Sequence, residues 1–407
     1  MPTSGGAESP DVPQRIADFN RGREPERLAL KYAVMRANAF AFYRGTAHLF
    51  WEDLARAPDR LPHAPLAWAC GDLHLENFGS YRGDNRLAYF DVNDFDEACI
   101  APAAWEVARF LTSVHLAVAE LALPADVGVT LSDGFLDAYQ AVLADGTARW
   151  LERATAVGMV RDLLRAVRHR SQRELLDGRT HRRKWRRVLR VDGRHALAIS
   201  DDDRARLGEA LSAFAATQPD PRFFTVLDAA RRVAGTGSLG VRRFVILVGG
   251  RGSPDANVLL DIKEARPSAL APYVHAAQPV WESDAARVVA TQHMMQAVPP
   301  ALLERVRIGD CDYVLRELQP TDDRLKLSDA HGRVRRLRVA AATMGRLVAW
   351  SQLRSSGRRG SATADDLQAF AAAPGWRHAL VGYARGYVAT VHHDWTRFVA
   401  AGRRNAR

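Results

Sequence analysis

"CGDLHLENFG", residues 70–79, places Asp72, His74, Glu76 and Asn77 within six positions, fenced by two glycines and preceded by the apolar run Leu66–Ala69. So many polar side chains in one turn after a short apolar segment suit three chemistries. They could ligate a metal, act as a hydrolytic acid and base, or form a phosphoryl-transfer loop. The alternation of Asp72, His74 and Glu76 resembles metal-ligand spacing, yet a single such run without a partner cluster is usually a solvated turn. The rest of the chain has to choose among the three.

Composition narrows the choice. At 407 residues the chain is long enough for two or three units with sizeable cores. No apolar run reaches about 18 residues, so no membrane-spanning helix is expected. The start, rich in Gly, Pro and Ser, has neither the basic head nor the apolar centre of a signal peptide, and residues 1–20 are expected to be a disordered lead-in. Cys70, Cys99 and Cys311 lie far apart without CxxC spacing, which argues against a zinc site or disulfide scaffold and fits a reducing cytoplasm. The formal net charge is +10, but the basic residues are nearly all arginine, with lysine only at positions 31, 184, 263 and 326. That bias is the imprint of a GC-rich genome more than of a nucleic-acid partner, and it makes each lysine informative.

Working outward from residues 70–79, helical periodicity covers Glu26 to Arg44, with Gly45 as a stop. "RLAYFDV" (86–92) reads as a strand, and the apolar positions 107, 110, 111, 114, 118 and 121 lie on one face of a following helix. Helices dominate to about residue 230. Residues 231–265 then bring β-branched runs between glycine clusters, followed by a helix from about 284 to 297 and a strand over 312–318. After Pro320 the pattern is helical again, most clearly over 338–350.

Three motifs converge. Asp72 and Asn77 have the five-residue offset of the kinase catalytic loop, where the aspartate takes the proton of the attacking hydroxyl and the asparagine holds magnesium. Asp94-Phe95-Asp96 stands where kinases carry the metal-binding D-F-G aspartate. "GTGSLGV" supplies Gly235, Gly237 and Gly240 in G-x-G-x-x-G form, and a strand pair after it ends in Lys263. Such a loop, with Thr236 and Ser238, lets backbone N–H groups approach phosphates that the lysine neutralises. A glycine hairpin without a ligand is the plainer reading of that motif alone; a Rossmann site is disfavoured, because the loop opens a strand and not a helix. Glu317 and Leu318 end the strand before Pro320, where a hinge would pair its backbone with adenine.

Over nearly its whole length the chain resembles a bacterial family catalogued as domain of unknown function 2252. The resemblance rests on "AFYRGTA", "CGDLHLENFG", "YFDVNDFDEA", "AGTGSLGVRRFVILV", "LLDIKEARPSAL", "RVVATQHMMQAV" and "VLRELQPTDDR". It implies a kinase-like fold whose catalytic loop is similar to that of aminoglycoside and choline phosphotransferases. The family supplies no acceptor. In this chain Glu106 stands where relatives commonly have Asp, and Gln352 where many have His. Because Asp72, Asn77 and Asp94 precede Gly235 and Lys263, a kinase-like fold would be circularly permuted.

The expectation is therefore an α+β, two-lobed, permuted kinase-like protein. A helical catalytic lobe would span 21–230 and 321–407, with a small β lobe over 231–320. Its function would be ATP- and Mg2+-dependent phosphotransfer to an unknown small-molecule or protein acceptor, in the cytoplasm, without nucleic-acid or membrane partners. Asp72 is the expected base, Asn77 and Asp94 the metal ligands, and Gly235–Gly240, Lys263, Glu317 and Leu318 the nucleotide contacts. The alternative is a nucleotide-binding scaffold without catalysis. Lys263 and Asp94 are expected within about 10 Å of each other, with a partner for the lysine at Glu282 or Gln292. Crowding of Asp72, Asp94 and Asp96 should raise at least one of their pKa values. Arg44 could orient a phosphate or form an ion pair. The basic stretch 161–194 is expected to be a solvated helical pair, and His392-His393-Asp394 surface residues.

Overall fold

The computed structural model describes residues 11–169, 171–235, 237, 239–319 and 324–404. Four helices open the chain: α1 (Val12–Phe19), α2 (Pro25–Ala37), α3 (Ala39–Gly45) and α4 (Ala47–Ala55). Residues 12–19 thus correct the expected lead-in. Val12 and Ile16, one turn apart, are buried, and Arg15 bridges Glu52 and Asp53 of α4 at 2.5 and 2.9 Å. The helix expected across 26–44 is broken at Asn38, whose backbone is extended; its side chain accepts from Ala41 N–H at 2.7 Å and starts α3.

Four short strands follow: β1 (Leu66–Ala69), β2 (Phe78–Arg82), β3 (Ala88–Val92) and β4 (Cys99–Pro102). β1 pairs antiparallel with β4, and β2 with β3, with Ala69 opposite Cys99 and Phe78 opposite Val92. Loops 70–77 and 93–98 therefore join the same ends of the same two ladders, which forces them side by side. Behind them lie α5 (Ala103–Glu120) and α6 (Ala125–Asp145), in one large apolar core.

The middle of the chain carries α7 (Gly158–His169), α8 (Gln172–Arg179), β5 (Thr180–Arg183), β6 (Arg186–Leu189), β7 (Ala196–Leu197) and α9 (Asp201–Ala216). The basic stretch is thus not a pure helical pair. Residues 180–189 form a hairpin, whose turn puts Lys184 at φ 55° and leaves Trp185 exposed. Next come β8 (Val226–Arg232), β9 (Arg243–Val248), β10 (Val258–Glu264), α10 (Asp284–Met295), β11 (Glu304–Ile308) and β12 (Cys311–Glu317). A single antiparallel sheet runs in the order β11-β12-β10-β9-β8-β7. It begins earlier than residue 231, because β7 and β8 both belong to it. Leu207 and Leu211 of α9 cover one face, where Leu260 and Ile262 point. Alternation sends Asp261 and Lys263 to the opposite face.

The chain closes with α11 (Val334–Ser355), α12 (Ala364–Ala372) and α13 (Trp376–Arg404), which rejoin the core around α5 and α6. The molecule is a mixed α+β structure, with its sheet inserted between two runs of helices.

Candidate functional site

Gly71 sets up the first loop. Its φ is +82°, and a Cβ there would lie 2.0 Å from the Glu97 carbonyl oxygen, so the two loops touch at a position only glycine fills. Glu106, on α5, accepts from the N–H groups of Cys70 (2.6 Å) and Gly71 (3.3 Å) and holds the turn from beneath. Arg109, one helical turn on and fully buried, donates Nε and Nη2 to Asp72 Oδ1 at 2.8 and 2.5 Å. Its guanidinium lies 4.2 Å from the centroid of the Tyr43 ring. Burial pushes the Asp72 carboxyl above its ordinary range, and Arg109 only partly offsets that.

The other polar residues of the loop do not form a metal cage. His74 accepts from Glu76 N–H through Nδ1 (3.2 Å), and burial keeps its ring far below the usual imidazole pKa. Glu76 pairs with Arg44 at 2.5 Å, which gives Arg44 an ion pair. Among the described residues no group of three or more His, Cys, Asp or Glu could hold a metal alone. The amide of Asn77 is fixed by donation from Nδ2 to the carbonyls of Asp72 (3.0 Å) and Asp94 (3.4 Å), so one side chain ties both loops together.

Lys263 reaches these loops from β10. Its Nζ lies 3.7 Å from Asp94 Oδ2 and makes a closer pair with Asp96. Neither expected helix partner takes part: Glu282 pairs with Arg305 at the surface, and Gln292 donates to Gln296. Burial raises the carboxyl of Asp94, but Lys263, Arg316 and Arg243 together hold it below the ordinary range. Asp96 goes the other way, raised by burial first and by Asp94 second. The expected pKa rise is present, with desolvation and not mutual repulsion as its main cause.

A cavity of about 310 Å³ opens beside these groups, with Asp72, Asp94, Asp96, Glu97 and Gly237 among its walls. Arg23, just before α2 and also in the cavity wall, grips the glycine loop by donating Nη1 to the carbonyls of Gly237 (2.9 Å) and Leu239 (3.0 Å). Gly235 and Gly240 have φ of 75° and 90°; Thr236 and Ser238 fall outside the described residues. Glu317 and Leu318 do not line this cavity. Their N–H groups are engaged with Ala301 O (2.9 Å) and Leu259 O (2.7 Å), and Glu317 pairs with Arg86. His392 and His393 are exposed, whereas Asp394 is buried.

Sequence reasoning missed Arg23, Arg109 and the structural use of Glu106. A signal existed for two of them: "WEVARF" sets a Glu and an Arg three positions apart on an otherwise apolar helix, where burial demands partners. Arg23 carried no signal. Missed as well was Asp261, which shares its face of β10 with Lys263 and is clasped by Arg243 (2.5 Å), Arg232 (2.6 Å) and Arg316 (3.6 Å).

Compared with known proteins, residues 23–401 match the model of a family described as an uncharacterized protein conserved in bacteria (DUF2252). No curated protein and no solved structure matches the chain. Among the described residues, no helix is long and apolar enough to cross a membrane.

Proposed function

Because the chain belongs to the uncharacterized bacterial family DUF2252, whose description assigns no activity, we propose its function from the site: phosphoryl transfer from Mg·ATP to a hydroxyl acceptor, in a permuted kinase-like fold. The observation that carries this reading is the pairing of Lys263 with Asp94 and Asp96 from a segment far away in sequence, two carboxylates that line one cavity together with Asp72. Acyl or glycosyl hydrolysis has no use for a lysine set between two carboxylates, whereas phosphates bridged by a cation need both charges. The sheet order also supports it: three consecutive strands carry the glycine loop and the lysine, and one helix precedes the last two strands.

In this reading the chain's residues divide the work. Asp72, steadied by Arg109, accepts the proton of the acceptor hydroxyl. That oxygen bonds to the γ-phosphorus as the bond from phosphorus to the bridging oxygen breaks, and the electron pair leaves with ADP. Lys263 and the glycine loop hold the phosphates. Mg2+ suits the hard oxygen donors Asp94 and Asn77, since it keeps few protein ligands and shares phosphate oxygens and water; when bound it would neutralise charge developing on the phosphates. Cytoplasmic location belongs to the same proposal.

The second reading is a nucleotide-binding scaffold without catalysis, and one observation weighs against a hinge-type adenine contact in both. A nucleotide base prefers apolar walls, yet the face of β10 that carries Lys263 also carries Asp261 and its three arginines, and the backbone donors at 317 and 318 are already engaged. Calorimetric titration with Mg·ATP beside ATP turnover separates the two. Asp72→Asn should keep nucleotide affinity and slow turnover by about 10²–10⁴, whereas Asp94→Asn should weaken Mg·ATP binding itself. A wild type that binds Mg·ATP but turns over no faster than Asp72→Asn is a scaffold.

A further inference from the structure

The cavity has a second wall that the proposed phosphoryl chemistry does not use. Phe19 of α1, Lys31 of α2 and His48 of α4 line it together with Asp72 and Arg23. Phe19 organises this wall. The His48 ring stacks on it at 3.9 Å, and Arg23 and Lys31 lie 5.5 and 5.7 Å from its centroid.

Lys31 and His48 are buried, Arg23 is half-buried, and all three are poorly matched. Lys31, 1% exposed, donates to Asn20 Oδ1 at 2.8 Å, and among the described residues no carboxylate pairs with it. An ammonium has three protons to place. His48 is also 1% exposed, and neither ring nitrogen has a hydrogen-bond partner among the described residues. Arg23 spends Nη1 on the glycine loop, while its buried Nε has no partner. Burial presses the pKa of Lys31 and of His48 well down, and that of Arg23 down to about 10. Buried donors left without acceptors are costly. In a chain with four lysines, one is buried beside a cavity without a contact ion pair, offset only at longer range by the carboxylates of Glu97 and Asp72, and an anion from outside would complete it.

We propose that Lys31, His48 and Arg23 form an acceptor subsite for a small alcohol bearing an oxyanion group, carboxylate or phosphate. The oxyanion sits against this wall, and the hydroxyl is presented to Asp72, which lines the same cavity. The volume of about 310 Å³ limits such an acceptor to a few carbons beside the transferring phosphate. The hydroxyl's role rests on the phosphotransferase reading; the oxyanion site does not.

Glycerol, glycerate and glycerol 3-phosphate share a three-carbon skeleton and differ in head group, so they serve as probes. Each is titrated calorimetrically into the full chain without nucleotide, and Mg·ATP is titrated separately into the same preparations. At least one anion should bind about tenfold or more tighter than glycerol, the usual worth of a charge-assisted hydrogen bond. Which anion is preferred tells carboxylate from phosphate. Lys31→Met, which keeps the apolar stem, should abolish that preference and leave Mg·ATP affinity intact. His48→Phe, which keeps the stacked ring, should weaken it and stands in if the lysine variant does not fold. Equal binding of all three probes by the wild type overturns the subsite, as does a preference that survives in folded Lys31→Met. A wild type that takes the anion but not Mg·ATP keeps the subsite and sinks the phosphotransferase reading instead.

Discussion

Asp72 is aimed by a guanidinium that solvent does not reach, and the peptide before it is held by the buried carboxylate of Glu106. At this scale the least forgiving position is Gly71. Its φ of +82° disfavours any side chain, and the Glu97 carbonyl fills the space a Cβ needs. Gly71→Ala should therefore cost roughly 1–3 kcal/mol of stability through strain and overpacking, and it should move Asp72 relative to Asp94. Chemical denaturation checks the first outcome. For the second, turnover of the folded variant should fall further than its Mg·ATP affinity; a fully active, wild-type-stable Gly71→Ala would show that the two loops do not depend on this contact.

Between elements, one close approach in the large core is helix against helix. Gly345 of α11 faces α6 so closely that a Cβ would lie 2.2 Å from the Phe135 carbonyl oxygen. Backbone cannot yield as a flexible side chain can, so Gly345→Ala must push α6 and α11 apart. The helix propensity gained from alanine, about 1 kcal/mol, opposes an overpacking cost of about 1–3 kcal/mol, and the net expectation is a loss. A lower denaturation midpoint at unchanged m-value would register it; a raised midpoint would mean that the helices slide apart freely. By contrast, Gly178 of α8 and Gly208 of α9 have open space where a Cβ would go, so alanine there should not clash.

For the whole molecule, pH is the sharpest lever. Glu97 lies where loop 93–98, the cavity and the chain after β10 meet, and accepts from Ala269 N–H. Burial raises its carboxyl from 4.5 to about 7. The sign follows from linkage: the folded chain keeps this proton after the unfolded chain has lost it, so raising pH from about 4.5 to 7 favours unfolding. Over that window Glu97 should remove on the order of 3 kcal/mol of stability. Glu97→Gln, which cannot ionise, should lose less stability than wild type between pH 5 and 8. Parallel stability curves for the two proteins would place the Glu97 carboxylate in an environment as wet as the unfolded chain.

Read alone, the sequence determined much of the local structure. The β-branched run before Lys263, the glycine clusters beside it and the periodic face of α5 fix those elements locally, because burial pattern and backbone freedom are short-range properties. The scarcity of lysine pointed to Lys263, and the same scarcity applies to Lys31, whose placement no local pattern reveals. What tertiary structure decided was partnership. Lys263 meets Asp94 and Asp96, not a residue of α10, because two paired ladders bring loops 70–77 and 93–98 under the sheet. Arg23 meets the glycine loop, and His48 meets Phe19, across separations that carry no periodic signal. A side chain's type is written in the chain, but its desolvation and its neighbours exist only once distant segments are packed, and those two quantities set what each charge can do.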